Sequence, residues 1–142
     1  MIDPNSILLP LFAMFTLSLI VLLRLAYLRN NAVINKKVRM SYYQGFQGES
    51  GETPEMVATA RNYVNLYEAP TFFYLVIVLY YVTAGVDHFA LAMAWGYVAF
   101  RFIHTLIHIG SNNVRQRFVA FAVSQIFLLI LWVKLGAQLY WR

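Results

Sequence analysis

Residues 89–109 read FALAMAWGYVAFRFIHTLIHI. The stretch matches the roughly 20 residues a helix needs to cross the hydrocarbon core of a bilayer. Its only charged or imidazole-bearing residues are Arg101, His104 and His108. Spacings of three and four residues place all three on one helical face. Ionisable groups inside a membrane are costly and usually face a bundle interior, a cavity or a partner. This one stretch therefore points both to the solvent of the chain and to a site within it.

Three further apolar stretches flank it, at about 6–28, 57–83 and 118–140. Each is long enough to span, and only helices satisfy their own backbone groups in lipid. The strands of a β-barrel would be about half as long and would alternate in polarity. The reading is a single all-α domain over residues 1–142, a bundle of four transmembrane helices. Composition agrees: 61% of residues are hydrophobic and 12% charged, against about 25% charged in soluble domains. The net charge of +5 is not a nucleic-acid signature, because the basic residues are few and border apolar runs. Cysteine is absent, so any thiol chemistry needs a thiol brought by a ligand. The first stretch reads as a retained helix and not a cleaved signal peptide: Asp3 stands where positive charge is expected, and the apolar run is too long.

The connections differ in character. Residues 29–56 form the longest loop, basic at Arg29, Lys36, Lys37 and Arg39 and Gly/Glu-rich from Gly45 to Glu55. Thr53 is placed to cap the second helix, with Pro54 at its first position and Glu55 in its first turn. The turns at 84–87 and 110–113 are short, which makes the last three helices antiparallel neighbours. No internal repeat or low-complexity segment is evident. Lys and Arg concentrate in the first and third loops and are missing from the second loop and the N-terminus. The positive-inside rule then places loops one and three in the cytoplasm. Lys134 and Arg142 count mildly against this; Lys134 is expected to snorkel to the membrane edge.

Polar residues gather at the cytoplasmic side of three helices. Arg61, Asn65 and Glu68 share a face of the second; His104 and His108 lie near the end of the third; Arg115, Gln116 and Arg117 open the fourth, with Gln125 two turns on. Together they describe a positively charged site suited to an anion. Each element also has a plainer role. Glu68 neutralises Arg61 or Arg101 as helix glue, Arg115 and Arg117 set topology, His88 sits at the interface, and Pro70 kinks its helix. A metal held by His104, His108 and Glu68 is not expected, because neighbouring arginines repel a cation.

On these residues the chain resembles the MAPEG family, the membrane-associated proteins of eicosanoid and glutathione metabolism. The resemblance is carried by Arg61-x-x-x-Asn65-x-x-Glu68 followed by Pro70, by Arg101-x-x-His104-Thr105 with His108 and Gly110, and by Arg117 with Gln125. It covers roughly residues 57–135. What it implies is a homotrimer of four-helix protomers that binds glutathione between subunits near the cytoplasmic side. Arg61, Asn65 and Glu68 would hold the glutathione backbone, with Arg101, His104 and His108 lining the same pocket and Arg39 contributing from beyond the first helix. Arg117, or alternatively Arg115, would stabilise the thiolate that attacks a lipophilic electrophile. The implied function is a membrane-bound glutathione transferase or peroxidase in detoxification. Its partners would be glutathione, a lipophilic substrate, membrane lipid and further copies of the chain. Val64, His108, Phe118 and Phe121 depart from residues found at these positions in family members. The compact chain fits a bacterial-type member in the inner membrane better than an eicosanoid synthase. The alternatives are a non-catalytic lipid- or anion-binding membrane protein, or a structural or regulatory subunit.

Overall fold

The computed structural model describes residues 2–46 and 51–141. Four long helices dominate: α1 (Leu8–Ile34), α3 (Pro54–Val82), α4 (His88–Ile109) and α5 (Val114–Tyr140). A 3-10 turn, Pro4–Ile7, leads into α1, and a single helical turn, α2 (Tyr42–Gly45), lies in the first loop. Among the described residues there is no strand.

Helices α3, α4 and α5 each have a capped beginning. The Thr53 hydroxyl accepts from Met56 N at 3.3 Å and Pro54 opens α3. Asp87 accepts from Ala90 N at 2.7 Å at the start of α4, and Asn113 from Gln116 N at 3.1 Å at the start of α5. Such oxygens satisfy amide donors left free at a helix start. α1 outlasts its apolar run and continues through Arg29 to Ile34. There Arg24 pairs with Glu55 at 2.7 Å and Arg29 with Glu52 at 3.2 Å, tying the end of α1 to the start of α3. The Gly/Glu-rich part of the first loop lies partly outside the described residues.

Among the described residues, three segments are long and apolar enough to cross a membrane: Pro4–Ile34, α4 and α5. Helix α3 has the length, with 29 residues, but does not join that group. Its first half carries Glu55, Arg61, Asn62, Asn65 and Glu68, and only its second half is continuously apolar.

The chain runs antiparallel through α3, α4 and α5. The most extensive pairing is α4 with α5, followed by α1 with α3. Gly96 permits the first of these: a Cβ there would stand 2.5 Å from the Phe127 ring. Between α3 and α4, Phe73 stacks on Tyr97 with ring centroids 4.3 Å apart. The core continues through Met14, Val21, Val76, Ile77 and Leu131, all essentially inaccessible. The Tyr80 hydroxyl donates to Leu131 O at 3.0 Å, joining α3 to α5.

Lys134 does not simply snorkel. Its ammonium bonds Asp87 at 2.7 Å and lies 5.6 Å from the Tyr80 ring. A carboxylate at the neighbouring turn gives the cation a partner within the protein. Glu68, for its part, makes no ion pair with Arg61 or Arg101 among the described residues; it is exposed on α3.

Candidate functional site

The antiparallel arrangement brings the start of α3, the end of α4 and the start of α5 to one end of the bundle. On α3, Arg61, Val64 and Glu68 are exposed and Asn65 is half-buried. On α4, Arg101, His104, Thr105 and His108 are buried. On α5, Arg117 and Phe121 are half-buried beside exposed Val114 and Phe118.

Hydrogen bonds fix the junction. His104 Nδ1–H donates to the carbonyl oxygen of Arg117 at 2.8 Å, seating the first turn of α5 on α4. The Arg117 guanidinium then reaches His108 Nε2 at 3.2 Å and the side-chain oxygen of Asn112. An arginine only donates. His108 Nε2 is therefore the acceptor, and that imidazole is neutral with its proton on Nδ1. The two imidazole rings lie 5.5 Å apart, centroid to centroid.

Arg101 behaves differently. It is fully buried, and its Nη2 donates to Asn65 Oδ1 at 2.7 Å and to Asn65 O at 3.2 Å. Its guanidinium carbon lies 5.7 Å from the Phe121 ring. It lines none of the three hollows described below and reaches them through Asn65.

Three hollows meet at His108. The first, ≈ 260 Å³, is lined by Asn65, His104, Arg117, Phe118 and Phe121. The second, ≈ 390 Å³, lies between Arg61, Glu52, Asn112 and Arg117. The third, ≈ 370 Å³, runs along α3 past Arg61, Val64, Asn65 and Glu68. They form one open groove with Arg61 and Arg117 in its walls and Arg101 behind it. Its carboxylates are Glu68 and Glu52, and Glu52 is already engaged by Arg29. The balance is positive. The walls offer guanidinium and amide donors to an anion, with Phe118 and Phe121 as an apolar flank.

Six residues singled out from the sequence, Arg61, Asn65, Glu68, His104, His108 and Arg117, thus line one groove. Arg101 lies beneath it. Arg39 lies elsewhere, in a separate hollow with Lys36 and Met40. Arg115 is exposed and lines none of the three hollows. Gln125 bonds its neighbour Ser124 at 3.2 Å. Among the described residues, no cluster of three His, Asp or Glu is arranged to hold a metal ion. One residue not picked out belongs to the site: Asn112 anchors Arg117. Asn62, next to Arg61 on α3, is fully buried, and among the described residues neither of its side-chain polar atoms has a hydrogen-bond partner. Its spacing from Leu66 and Phe73 marks the buried stripe of α3 and could have revealed it.

No curated protein and no solved structure matches the chain. The family model of the MAPEG family does, over residues 7–137. That match begins just before α1 and ends near the close of α5, so it takes in the whole bundle, the groove and the three membrane-length helical segments. The chain is an integral membrane protein that belongs to the MAPEG family.

Proposed function

We propose that the chain is a membrane-bound glutathione-dependent transferase or peroxidase whose site is the groove at the junction of α3, α4 and α5. The observation that carries this reading is Arg117, a groove-lining cation held in place by His108 and Asn112. Arginine keeps its charge at any physiological pH. A fixed cation lowers a thiol pKa from its ordinary value of about 8.5 and makes the thiolate available near neutrality. Arg117 would hold that thiolate beside the apolar flank of Phe118 and Phe121, where a lipophilic electrophile arrives from the bilayer. Arg61 and Asn65 supply donors for the carboxylates and amides of glutathione. Glu68 supplies an acceptor for its ammonium group.

The same reading accounts for the open side of the groove. Arg61 and Glu68 are exposed on α3, and ionisable groups at membrane depth need a protein or aqueous surface to face. We therefore read α3 as a fourth span whose polar half is covered by a neighbouring subunit, in the homotrimer that family membership suggests. The basic loops on the groove side support a groove that faces the cytoplasm, and we read the membrane as the inner membrane of a bacterium.

The test is glutathione binding to the detergent-solubilised protein, read together with thiolate absorbance near neutral pH. Saturable binding is expected, with a thiolate signal that Arg117→Ala removes. Turnover should fall by roughly 100-fold or more, as when a preorganised electrostatic donor is lost, while binding stays measurable. No binding at millimolar glutathione would overturn the proposal. It would favour the second reading, a non-catalytic lipid- or anion-binding protein, which the apolar Phe118 and Phe121 beside Arg117 already support.

A further inference from the structure

When a thiol becomes a thiolate beside Arg117, something must take its proton. Arginine only donates, so Arg117 can steady the sulfur's charge but cannot take the hydrogen. The side chains that line the first hollow narrow the choice. Val114, Phe118 and Phe121 bring no polar side-chain atom to it. Asn65 turns its side-chain oxygen to Arg101 at 2.7 Å. His108 Nε2 already accepts from Arg117 at 3.2 Å.

His104 is the residue left. Its Nδ1 bonds the carbonyl oxygen of Arg117 at 2.8 Å. A carbonyl oxygen only accepts, so Nδ1 carries the proton of the neutral ring and Nε2 presents a lone pair. That nitrogen is buried and has no hydrogen-bond partner among the described residues. The residue is 5% exposed and lines the hollow. A buried acceptor without a partner costs free energy that a ligand's hydrogen recovers. The bond at Nδ1 also fixes the tautomer and the ring's orientation. Because that bond is made to Arg117 itself, the acceptor nitrogen and the cation are tied to one another.

We propose that His104 Nε2 takes the proton of the thiol bound in this hollow and passes it to water in the open groove; the inference rests on the glutathione reading above. The S–H bond breaks, its electron pair stays on sulfur as the thiolate facing Arg117, and an N–H bond forms at Nε2. The imidazolium so formed stands beside two permanent cations, Arg101 one turn back on α4 and Arg117 on α5. No carboxylate is among the residues that line the hollow. The ring therefore sheds the proton to solvent instead of holding it. His104 is a relay that speeds thiolate formation, while Arg117 sets how much thiolate is present.

The experiment follows thiolate absorbance after rapid mixing of glutathione with the full chain in detergent near neutral pH. His104→Asn keeps an N–H donor close to the place of Nδ1, so α5 stays seated, and puts nothing in place of Nε2. Its rate of thiolate formation should fall by roughly 100-fold, as when a general base is lost, with glutathione affinity and final absorbance little changed. Added free imidazole should restore the variant's rate and leave that of the wild type as it was. An unchanged rate in the variant would overturn the relay and leave His104 as a seat for α5. So would a joint loss of affinity and final absorbance that imidazole does not rescue. If the variant does not fold, the wild type decides alone: a rate that climbs with imidazole concentration would mean that the proton leaves without His104. Glutathione that fails to bind the wild type would sink the function proposed above along with the relay, so the two failures are told apart.

Discussion

Arg101 carries a permanent charge into a place that is 0% exposed, with no carboxylate in ion-pair reach among the described residues. Among the described residues its hydrogen bonds run to Asn65, through both the side-chain and the backbone oxygen. That arrangement does two things. It satisfies part of a guanidinium that would otherwise be stranded, and it fixes the amide of Asn65 so that its oxygen faces inward and its NH2 is left for the groove. Asn65→Leu should therefore destabilise the protein by about 2–3 kcal/mol, since loss of a partner leaves a buried charged donor unsatisfied. Val64→Leu, one residue away on the exposed side of α3, should be near neutral. Thermal unfolding in detergent separates the two; equal shifts would mean that the Arg101–Asn65 bond contributes little. The sequence placed Arg101 on the same face as His104 and His108, and that holds. It did not reveal that Arg101 is sealed from the groove, because the sealing group sits 36 residues away on another helix. Arg39 lies beyond the turn at Lys36, in a different hollow of the protomer.

At the scale of elements, the bundle is closed at both ends by polar contacts between helices that apolar patterning alone does not specify. At the groove end, His104 and Arg117 join α4 to α5. At the other end, Asp87 caps α4 and also receives Lys134 from α5. Partial burial works against the Asp87 carboxylate, yet the bonds from Lys134 and from Ala90 N hold its pKa below the usual carboxyl range. The sign of the pH effect follows. A carboxyl whose pKa is lower folded than unfolded stabilises the fold above its unfolded value, about 3.9. That contribution is lost as pH falls through the depressed folded value. Asp87→Asn keeps a capping oxygen and removes the charge. The stability advantage of the wild type over this variant should hold at neutral pH and shrink between about pH 5 and pH 3. Since Asp87 is half exposed, the difference should be small and weakened by salt. A gap between the two proteins that stays constant with pH would mean that the ion pair does not contribute.

Across the whole molecule, the legible features were those written in runs of residues, and the hidden ones depended on distant pairs. Apolar length announced α1, α4 and α5, and the Thr53-Pro54 start of α3 was visible as a cap. The far end of α1 was not, because past Leu28 it is held by Arg29 meeting Glu52 and not by an apolar face. The apolar second half of α3 promised a span, while its polar first half keeps it apart from the three membrane-length segments. Whether α3 crosses the membrane is decided by sidedness. If α3 and α4 both cross, Ser41 before α3 and Asn113 after α4 share one side, and His88 between them lies on the other. If α3 does not cross, Ser41 and His88 share a side. All three residues are exposed, and the chain has no cysteine of its own. Ser41→Cys, His88→Cys and Asn113→Cys, each introduced alone, therefore report cleanly to a membrane-impermeant maleimide. Labelling of the first and third only from the cytoplasmic face, and of the second only from the opposite face, is the expected pattern. It would establish that α3 crosses along with α4 and place the basic turn at Lys36 and the groove at Arg117 on the same side of the membrane. Ser41 labelled together with His88 would remove α3 from the membrane, and the exposed Arg61 and Glu68 would then face water and need no neighbouring subunit to cover them.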